Sequence, residues 1–281
     1  MELNDNIFRA NDIRGIAFED LTEEVIFYLG KALGTESINR KQDDFIIGRD
    51  GRVSSPQLFE WLSEGVLSTG CNVTNIGVVP SPVFYHSTFK LNSSSGVVIT
   101  GSHNPADYNG FKILFNNNST SSEEIQSIKK RVKEQDFLSG TGSIESIDVI
   151  ESYVEEVTKN IKLNRPLNIS IDCGNGAAGV VAEKVYKGLD CEVEGLYCDL
   201  DGNFPNHHPD PSRPENVEDL IQSVLKNKSD IGLAFDGDAD RLGVISPSGE
   251  MIFPDMQMIL FSEHVLKKNP NSKIVFDVKC S

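Results

Sequence analysis

The chain has 281 residues, enough for roughly two domains and a substantial buried core. It carries 26 Lys and Arg against 42 Asp and Glu, a formal net charge of -16 at pH 7. That balance excludes the broad basic face that a nucleic-acid or anionic-membrane partner selects, and an acidic protein that handled phosphates would need locally concentrated cations or a metal.

The first fifteen residues are polar and lack the charged-then-apolar layout of a signal peptide. No apolar run approaches the ~18 residues that span a bilayer. The five cysteines, Cys71, Cys173, Cys191, Cys198 and Cys280, are odd in number and show no C-x-x-C spacing. They read as free, mostly buried thiols in a reducing compartment, and a cytoplasmic protein is expected.

Short β-rich runs alternate with amphipathic helices, which predicts an α/β fold. The spacing predicts a helix over 22–33, with Thr22 as N-cap and Gly34 as terminator. A strand at 45–47 leads into Gly-Arg-Asp-Gly-Arg (48–52), and a helix with Pro56 in its first turn stops at Gly70. Strands follow at 96–100 and 111–115. Ile125, Ile128 and Val132 mark a short surface helix, and 149–161 reads as a connecting helix closed by Pro166. The rhythm then restarts with a strand at 167–172, a helix after Gly179, a strand at 191–196, a helix at 217–225 and a strand at 231–235. A helix at 254–267 and a strand at 273–278 open a third cycle. The domain boundary is expected near residue 153. The third cycle has nothing to pack against, so a fragment is expected.

Two segments carry chemistry. Phe-Asp-Gly-Asp-Ala-Asp-Arg (235–241) follows an apolar strand and spaces Asp236, Asp238 and Asp240 at i, i+2 and i+4. Carboxylates this close repel unless a hard cation neutralises them. An EF-hand loop would need Gly and Glu where this chain has Arg241 and Pro247, so that reading fails. Thr-Gly-Ser-His-Asn-Pro (100–105) also follows an apolar strand and presents Ser102 on a loop constrained by Gly101 and Pro105. A serine hydroxyl needs a base or metal to act as a nucleophile, and adjacent His103 need not face the same way. Lys112 lies ten positions on, and Arg14 sits in Asp-Ile-Arg-Gly near the N-terminus.

With these, Phe-Arg-Ala-Asn-Asp-Ile-Arg-Gly (8–15), Asn-Gly-Phe-Lys (109–112), Asp-Cys-Gly-Asn-Gly-Ala-Ala-Gly (172–179) and Pro-Asp-Pro-Ser-Arg-Pro-Glu-Asn (209–216) complete an ordered set. The chain resembles the α-D-phosphohexomutase family, in its phosphomannomutase/phosphoglucomutase branch. Asn11 departs from the tyrosine common there.

The resemblance implies two consecutive three-layer α/β domains with mixed sheets, plus the first helix and strand of a truncated third. The expected divisions are a phosphoserine-bearing domain at 1–153, a metal-binding domain at 154–253 and the start of a third at 254–281. It implies a mutase that interconverts hexose 1-phosphate and hexose 6-phosphate, of mannose or glucose, through a phosphoserine at Ser102 and a hexose 1,6-bisphosphate. Asp236, Asp238 and Asp240, with a phosphate oxygen on Ser102, would hold one Mg2+. Lys112 and Arg14 would serve as acid/base groups, with His103 assisting and Lys112 the better base because an arginine pKa is too high. Arg241 and Asn104 would contact phosphate. The partners implied are small-molecule sugar phosphates, without nucleic acid or membrane. The family's sugar-recognition loop and remote phosphate pocket lie in third and fourth domains, so impaired turnover is expected.

Two rivals remain at this point. Gly174 to Gly179 matches G-x-G-x-x-G, as in a dinucleotide-binding oxidoreductase, with Asp199 and Asp201 further on. The chain also reads as a non-catalytic phosphate- and metal-binding fragment. His207-His208 could ligate a transition metal, although adjacent side chains splay apart and favour a loop.

Overall fold

The computed structural model describes residues 3–91, 93–278 and 280, so the outermost positions of the expected first and third domains lie outside it. In chain order the elements are β1 (Ile13–Ile16), α1 (Glu23–Asn39), β2 (Asp44–Arg49), α2 (Ser55–Leu67), β3 (Asn72–Val78), α3 (Ser81–Lys90), β4 (Gly96–Ile99), β5 (Tyr108–Phe115), β6 (Asn118–Ser119), α4 (Ser122–Glu134) and β7 (Ile144–Ser146). Then come α5 (Ile150–Asn160), β8 (Asn168–Asp172), α6 (Ala182–Gly188), β9 (Glu192–Leu196), α7 (Glu218–Asn227), β10 (Ile231–Phe235), β11 (Leu242–Ile245), β12 (Met251–Ile252) and α8 (Pro254–Lys268).

Two mixed sheets organise these elements. The first runs β1-β5-β4-β2-β3-β7, with β6 on β5; β4, β2, β3 and β7 are parallel and β1 and β5 run against their neighbours. The second runs β12-β11-β10-β8-β9, parallel across β10, β8 and β9 and antiparallel beyond. Both faces of the first sheet are covered. Phe45 and Ile47 pack under α1, α2 and α4, while Ile46 turns to the opposite face with Val83 and Phe84 of α3. A strand buried on both sides reads as a continuous apolar run, which is why β2 is legible in sequence. The second sheet repeats the plan: Leu233 packs with Ala182 of α6, and Ala234 packs with Leu220 and Val224 of α7. The boundary expected near 153 falls inside α5. That helix is joined to both lobes, since Tyr153 and Val154 pack in one cluster with Val83, Phe84 and Val181.

Three expectations need correction. First, α1 does not stop at Gly34 but continues to Asn39. Gly34 lies at a helix crossing, where a Cβ would come within 2.5 Å of Thr69 Oγ1, so the residue serves close packing with the end of α2. Second, the helix over Ile125, Ile128 and Val132 is seated in the main core, because all three side chains are buried there. Its start is held by a capping box, in which Ser121 Oγ accepts from Glu124 N–H and the Glu124 carboxylate accepts from Ser121 N–H. Third, 273–278 is not a strand, because it has no neighbouring strand to supply ladder hydrogen bonds among the described residues. Val275, Phe276 and Val278 are consequently exposed, as are Met256, Ile259, Leu260 and Phe261 of α8.

Cys71, Cys173 and Cys191 are buried free thiols, Cys198 is half-buried and Cys280 is exposed. No helix of the described residues is long and apolar enough to cross a membrane. The sandwiched centre of the first sheet should carry much of the stability. Phe45→Ala is expected to cost about 3–5 kcal/mol in denaturant unfolding. Phe89→Ala, at a side chain 68% exposed, should stay within about 0.5 kcal/mol.

Candidate active site

The parallel strands β2 and β4 pair Arg49 with Ile99, so both end on the same edge of the sheet. Their following loops lie together at that carboxyl edge, where open α/β sheets collect ligands. Ser102 is buried and has φ +49°, a left-handed conformation that a non-glycine residue holds only when its surroundings enforce it. Ser102 N–H donates to Thr100 Oγ1 at 2.9 Å, and Gly101 N–H donates to Asp50 Oδ2 at 3.0 Å. The Asn104 side-chain amide donates to Gly101 O at 2.9 Å, so it shapes the loop from within. Ser102 Oγ lies 3.3 Å from His103 Nδ1, and the adjacent side chains do face one another.

The acidic segment forms the tight turn of the β10–β11 hairpin. Asp236 Oδ1 accepts from the backbone N–H groups of Asp240 and Arg241, each at 3.0 Å, which folds the turn around its own carboxylate. This turn meets the first lobe directly. Ser102 Oγ donates to Asp236 Oδ2 at 2.9 Å, and Ser81 donates to Asp238 through both its hydroxyl, at 2.5 Å, and its backbone N–H, at 2.8 Å. Lys112, on β5, donates to Asp238 Oδ2 at 2.5 Å and to Asp240 Oδ2 at 2.6 Å. His208 Nε2 donates to His103 O at 2.6 Å, so it carries its proton there.

Charge in this cluster is strongly coupled. Burial, then the neighbouring Asp238 and Asp240 charges, raise the Asp236 carboxyl above the usual range. Burial also works against the charged form of Asp238, but the Lys112 ammonium overcomes it and holds that carboxyl low. Burial alone would lower Lys112; the two aspartates reverse it and keep the ammonium protonated. One oxygen of each of Asp236, Asp238 and Asp240 lies within 4.8 Å of the others. Asp238 Oδ1 is buried with no hydrogen-bond partner among the described residues. Three converging carboxylate oxygens and an unsatisfied buried one fit a hard divalent cation, whose preferred ligands are oxygens.

The remaining expected residues surround this cluster. Arg14 is buried on β1, paired with Asp12 at 2.7 Å and with its Nε unpartnered. Arg241 is exposed beside the turn. Burial, and then the Arg241 charge, push the His103 imidazole below its usual pKa, with Arg14 adding to the same direction.

Sequence reasoning gave Arg52, Asp50 and Ser81 no individual role, and it weighed His208 only as half of a candidate transition-metal pair. Arg52 and Asp50 lie within the Gly-Arg-Asp-Gly-Arg run, and the signal was a charged pair that immediately follows a fully apolar strand. Ser81 sits between two prolines and His208 in the histidine pair. In that pair the two side chains part company: His207 Nε2 reaches Asp172 Oδ2 at 3.0 Å, and its Nδ1 reaches His208 O at 3.0 Å. Both neighbours only accept, so the geometry favours a proton on each ring nitrogen. Burial lowers its pKa, but Asp172 outweighs that and the net shift is upward.

The glycine loop has no free cradle for a pyrophosphate. The N–H groups of Cys173, Asn175, Gly176, Ala177 and Gly179 are taken by Leu196 O, Tyr197 O, Cys173 O, Gly237 O and Gly176 O, and that of Gly174 by Asp172 Oδ1. A dinucleotide site needs those donors, so that rival fails. The loop instead braces the aspartate turn through Gly237.

The family model for phosphoglucomutase/phosphomannomutase alpha/beta/alpha domain I matches residues 5–139, and that for domain II matches residues 151–249. The chain is 46% identical over 276 residues to a phosphomannomutase/phosphoglucomutase of Pseudomonas aeruginosa, covering 98% of this chain and 60% of that protein. It is 45% identical to a phosphoglucomutase of Neisseria gonorrhoeae, with the same coverage. The crystal structure of a phosphoglucomutase/phosphomannomutase family protein from Burkholderia thailandensis superposes with a TM-score of 0.95 at 43% identity, over 99% of this chain and 63% of that one. The chain thus spans about 60% of the length of the curated relatives it matches.

Lys112 acts as the internal counter-cation of the aspartates. Lys112→Met should cost the metal-free protein about 3 kcal/mol, because it strands buried charge. Mg2+ should restore most of that loss, read as the unfolding midpoint with and without chelator. The His207–Asp172 pair predicts a pH dependence. A raised folded-state pKa gives stability that is fully present below the unfolded value, about 6.5, and is lost as pH rises through the folded value. The stability gap between the native chain and His207→Gln should therefore be widest near pH 6 and narrow as pH rises.

Proposed function

The chain belongs to the phosphoglucomutase/phosphomannomutase family, and we propose that it performs the phosphoryl transfer of a magnesium-dependent hexose-phosphate mutase, with Ser102 as phosphoryl carrier. The observation that carries this reading is the meeting of the lobes: Ser102 Oγ donates to Asp236 while Asp238 Oδ1 stays buried and unpartnered beside it. Asp236, Asp238 and Asp240, with a phosphoryl oxygen on Ser102, would hold one Mg2+, which when bound supplies charge neutralisation at the transferring oxygens.

The chain's own residues account for the rest. In the forward half-reaction the bond from phosphorus to Ser102 Oγ breaks and one to a free hydroxyl of a hexose monophosphate forms. The hydroxyl proton leaves to the imidazole of His103, whose lowered pKa favours its neutral form, and the Ser102 oxygen takes up the Lys112 proton. Lys112, held protonated by Asp238 and Asp240, supplies a proton at this centre and recovers it in the return step. His103 Nδ1, 3.3 Å from Ser102 Oγ, assists. Arg14 and Arg241 stay charged and orient phosphate oxygens, and Asn104 fixes the loop that presents them. The hexose 1,6-bisphosphate formed reorients and returns its other phosphate to Ser102. Mannose and glucose phosphates are the substrates proposed, in the cytoplasm, and a net charge of -16 supports the absence of a nucleic-acid or membrane partner.

In this reading 1–153 bears the phosphoserine, 154–253 the metal site, and the residues from 254 onward belong to a third unit. A second reading keeps the phosphate and metal binding without efficient turnover. It is favoured by the coverage of about 60% of the relatives' length, since binding energy from a remote phosphate is what drives orientation of the sugar.

Intact mass after incubation with glucose 1,6-bisphosphate and Mg2+ tests the carrier. A gain of about 80 Da is expected, the mass of one phosphoryl group. It should be abolished in Ser102→Ala and reduced at least about 100-fold in rate in Asp238→Asn. A folded native chain that takes up no phosphate would overturn the reading.

A further inference from the structure

Arg52 takes no part in the chemistry above, yet its side chain is fully enclosed beneath the serine loop. A buried guanidinium ordinarily meets carboxylates, which repay its desolvation. Arg52 meets one, Asp50, through Nε at 3.2 Å. Its two terminal nitrogens go instead to backbone carbonyls. Nη1 donates to Pro105 O at 2.5 Å and Tyr108 O at 3.0 Å; Nη2 donates to Ser102 O at 2.8 Å and Asn104 O at 2.7 Å. The Phe204 ring of the second lobe covers the guanidinium, 5.1 Å from Cζ to the ring centre. Gly101 leaves the room required, since a Cβ there would lie 2.3 Å from Arg52 Cζ.

We infer that Arg52 is a positioning residue for Ser102: its planar fork ties four carbonyls of the 102–108 segment to one rigid point and so sets the direction of Ser102 Oγ toward Asp236. The inference rests on Ser102 being the phosphoryl carrier. Two observations support it beyond proximity. The left-handed backbone of Ser102 needs outside enforcement, and the Ser102 carbonyl is one of the four held. In addition, a trans peptide points its C=O and the next N–H in opposite directions. Drawing the Ser102 and Pro105 carbonyls onto Arg52 therefore turns the N–H groups of His103 and Ala106 away from it. Neither donates to a protein acceptor among the described residues, which leaves both for ligand oxygens. A lysine cannot substitute, because one ammonium lacks the five donors in fixed planar array that reach four carbonyls and Asp50.

The test compares Arg52→Lys and Arg52→Ala with the native chain on three readouts. These are the rate of phosphate uptake from glucose 1,6-bisphosphate, Mn2+ affinity of the aspartate turn, and amide exchange at residues 102 and 104, whose N–H groups donate to Thr100 Oγ1 and Gly101 O. Arg52→Lys should load about 100-fold more slowly, the usual cost of a reacting group misplaced by about 1 Å. Its Mn2+ affinity should stay within about threefold, because the aspartates are held by their own turn. Low-millimolar guanidinium should restore loading in Arg52→Ala. Loading of Arg52→Lys at the native rate would overturn the inference. So would a loss in Arg52→Ala that guanidinium leaves unrepaired while Mn2+ affinity falls in step, the pattern of a merely structural role. If Arg52→Lys does not fold, Asp50→Asn replaces it, with about tenfold slower loading expected and native loading counting against the clamp. If the native chain itself takes up no phosphate, the carrier reading is what fails. Amide exchange then decides the clamp: faster exchange at residues 102 and 104 alone upholds it, and unchanged exchange removes it.

Discussion

Three carboxylates held within 4.8 Å of one another, two of them fully buried, set the terms for everything around them. In a low-dielectric setting such a group is tolerable only if part of its charge is cancelled. Each neighbour answers that need. Lys112 lends an ammonium, Ser81 and Ser102 lend hydroxyl protons, and the turn of Asp236 to Arg241 lends two backbone N–H groups. What is left over is the bare Asp238 Oδ1, an acceptor without a donor among the described residues. The protein therefore keeps a provisional cation of its own in the form of Lys112.

The site exists because two sheets present complementary edges. β2 and β4 end side by side and release the loops that carry Arg52 and Ser102, while β10 ends opposite them with the aspartate turn. Two of the polar contacts between them are made to backbone carbonyls and two converge on Asp238 Oδ2. His208 grips His103 O, and Ser81 grips Asp238 at two points. Such contacts fix the relative depth of serine and aspartate more tightly than a surface ion pair could, since buried hydrogen bonds are not exchanged for water at little cost.

Much of this was legible from residues alone, for identifiable reasons. Asp236, Asp238 and Asp240 are adjacent in sequence, so their proximity needs no fold to establish it. β2, β4 and β10 are centred on short, continuous apolar runs buried on both faces, and their length and β-branched content mark them as strands. β3 was missed because Thr74 and Asn75 interrupt its apolar pattern; α3 was missed because Pro-Ser-Pro and several serine and threonine residues hide a helix that packing sustains. Arg52 was missed for a different reason. A charged residue after a strand reads as solvent-facing, and only the fold reveals four carbonyls turned toward it. The glycine run at 174–179 misled in the opposite direction. Its pattern suits a nucleotide, but its N–H groups are spent within the protein.

The exposed apolar face of α8 has a colloidal consequence. Met256, Ile259, Leu260 and Phe261 offer a surface that would draw copies of the chain together. A net charge of -16 opposes that association through long-range repulsion. The repulsion reaches only about 8 Å at physiological ionic strength and about 3 Å at 1 M salt. Short-range stickiness and screened charge therefore act against one another on this chain, a balance that added salt or acidification tips toward self-association.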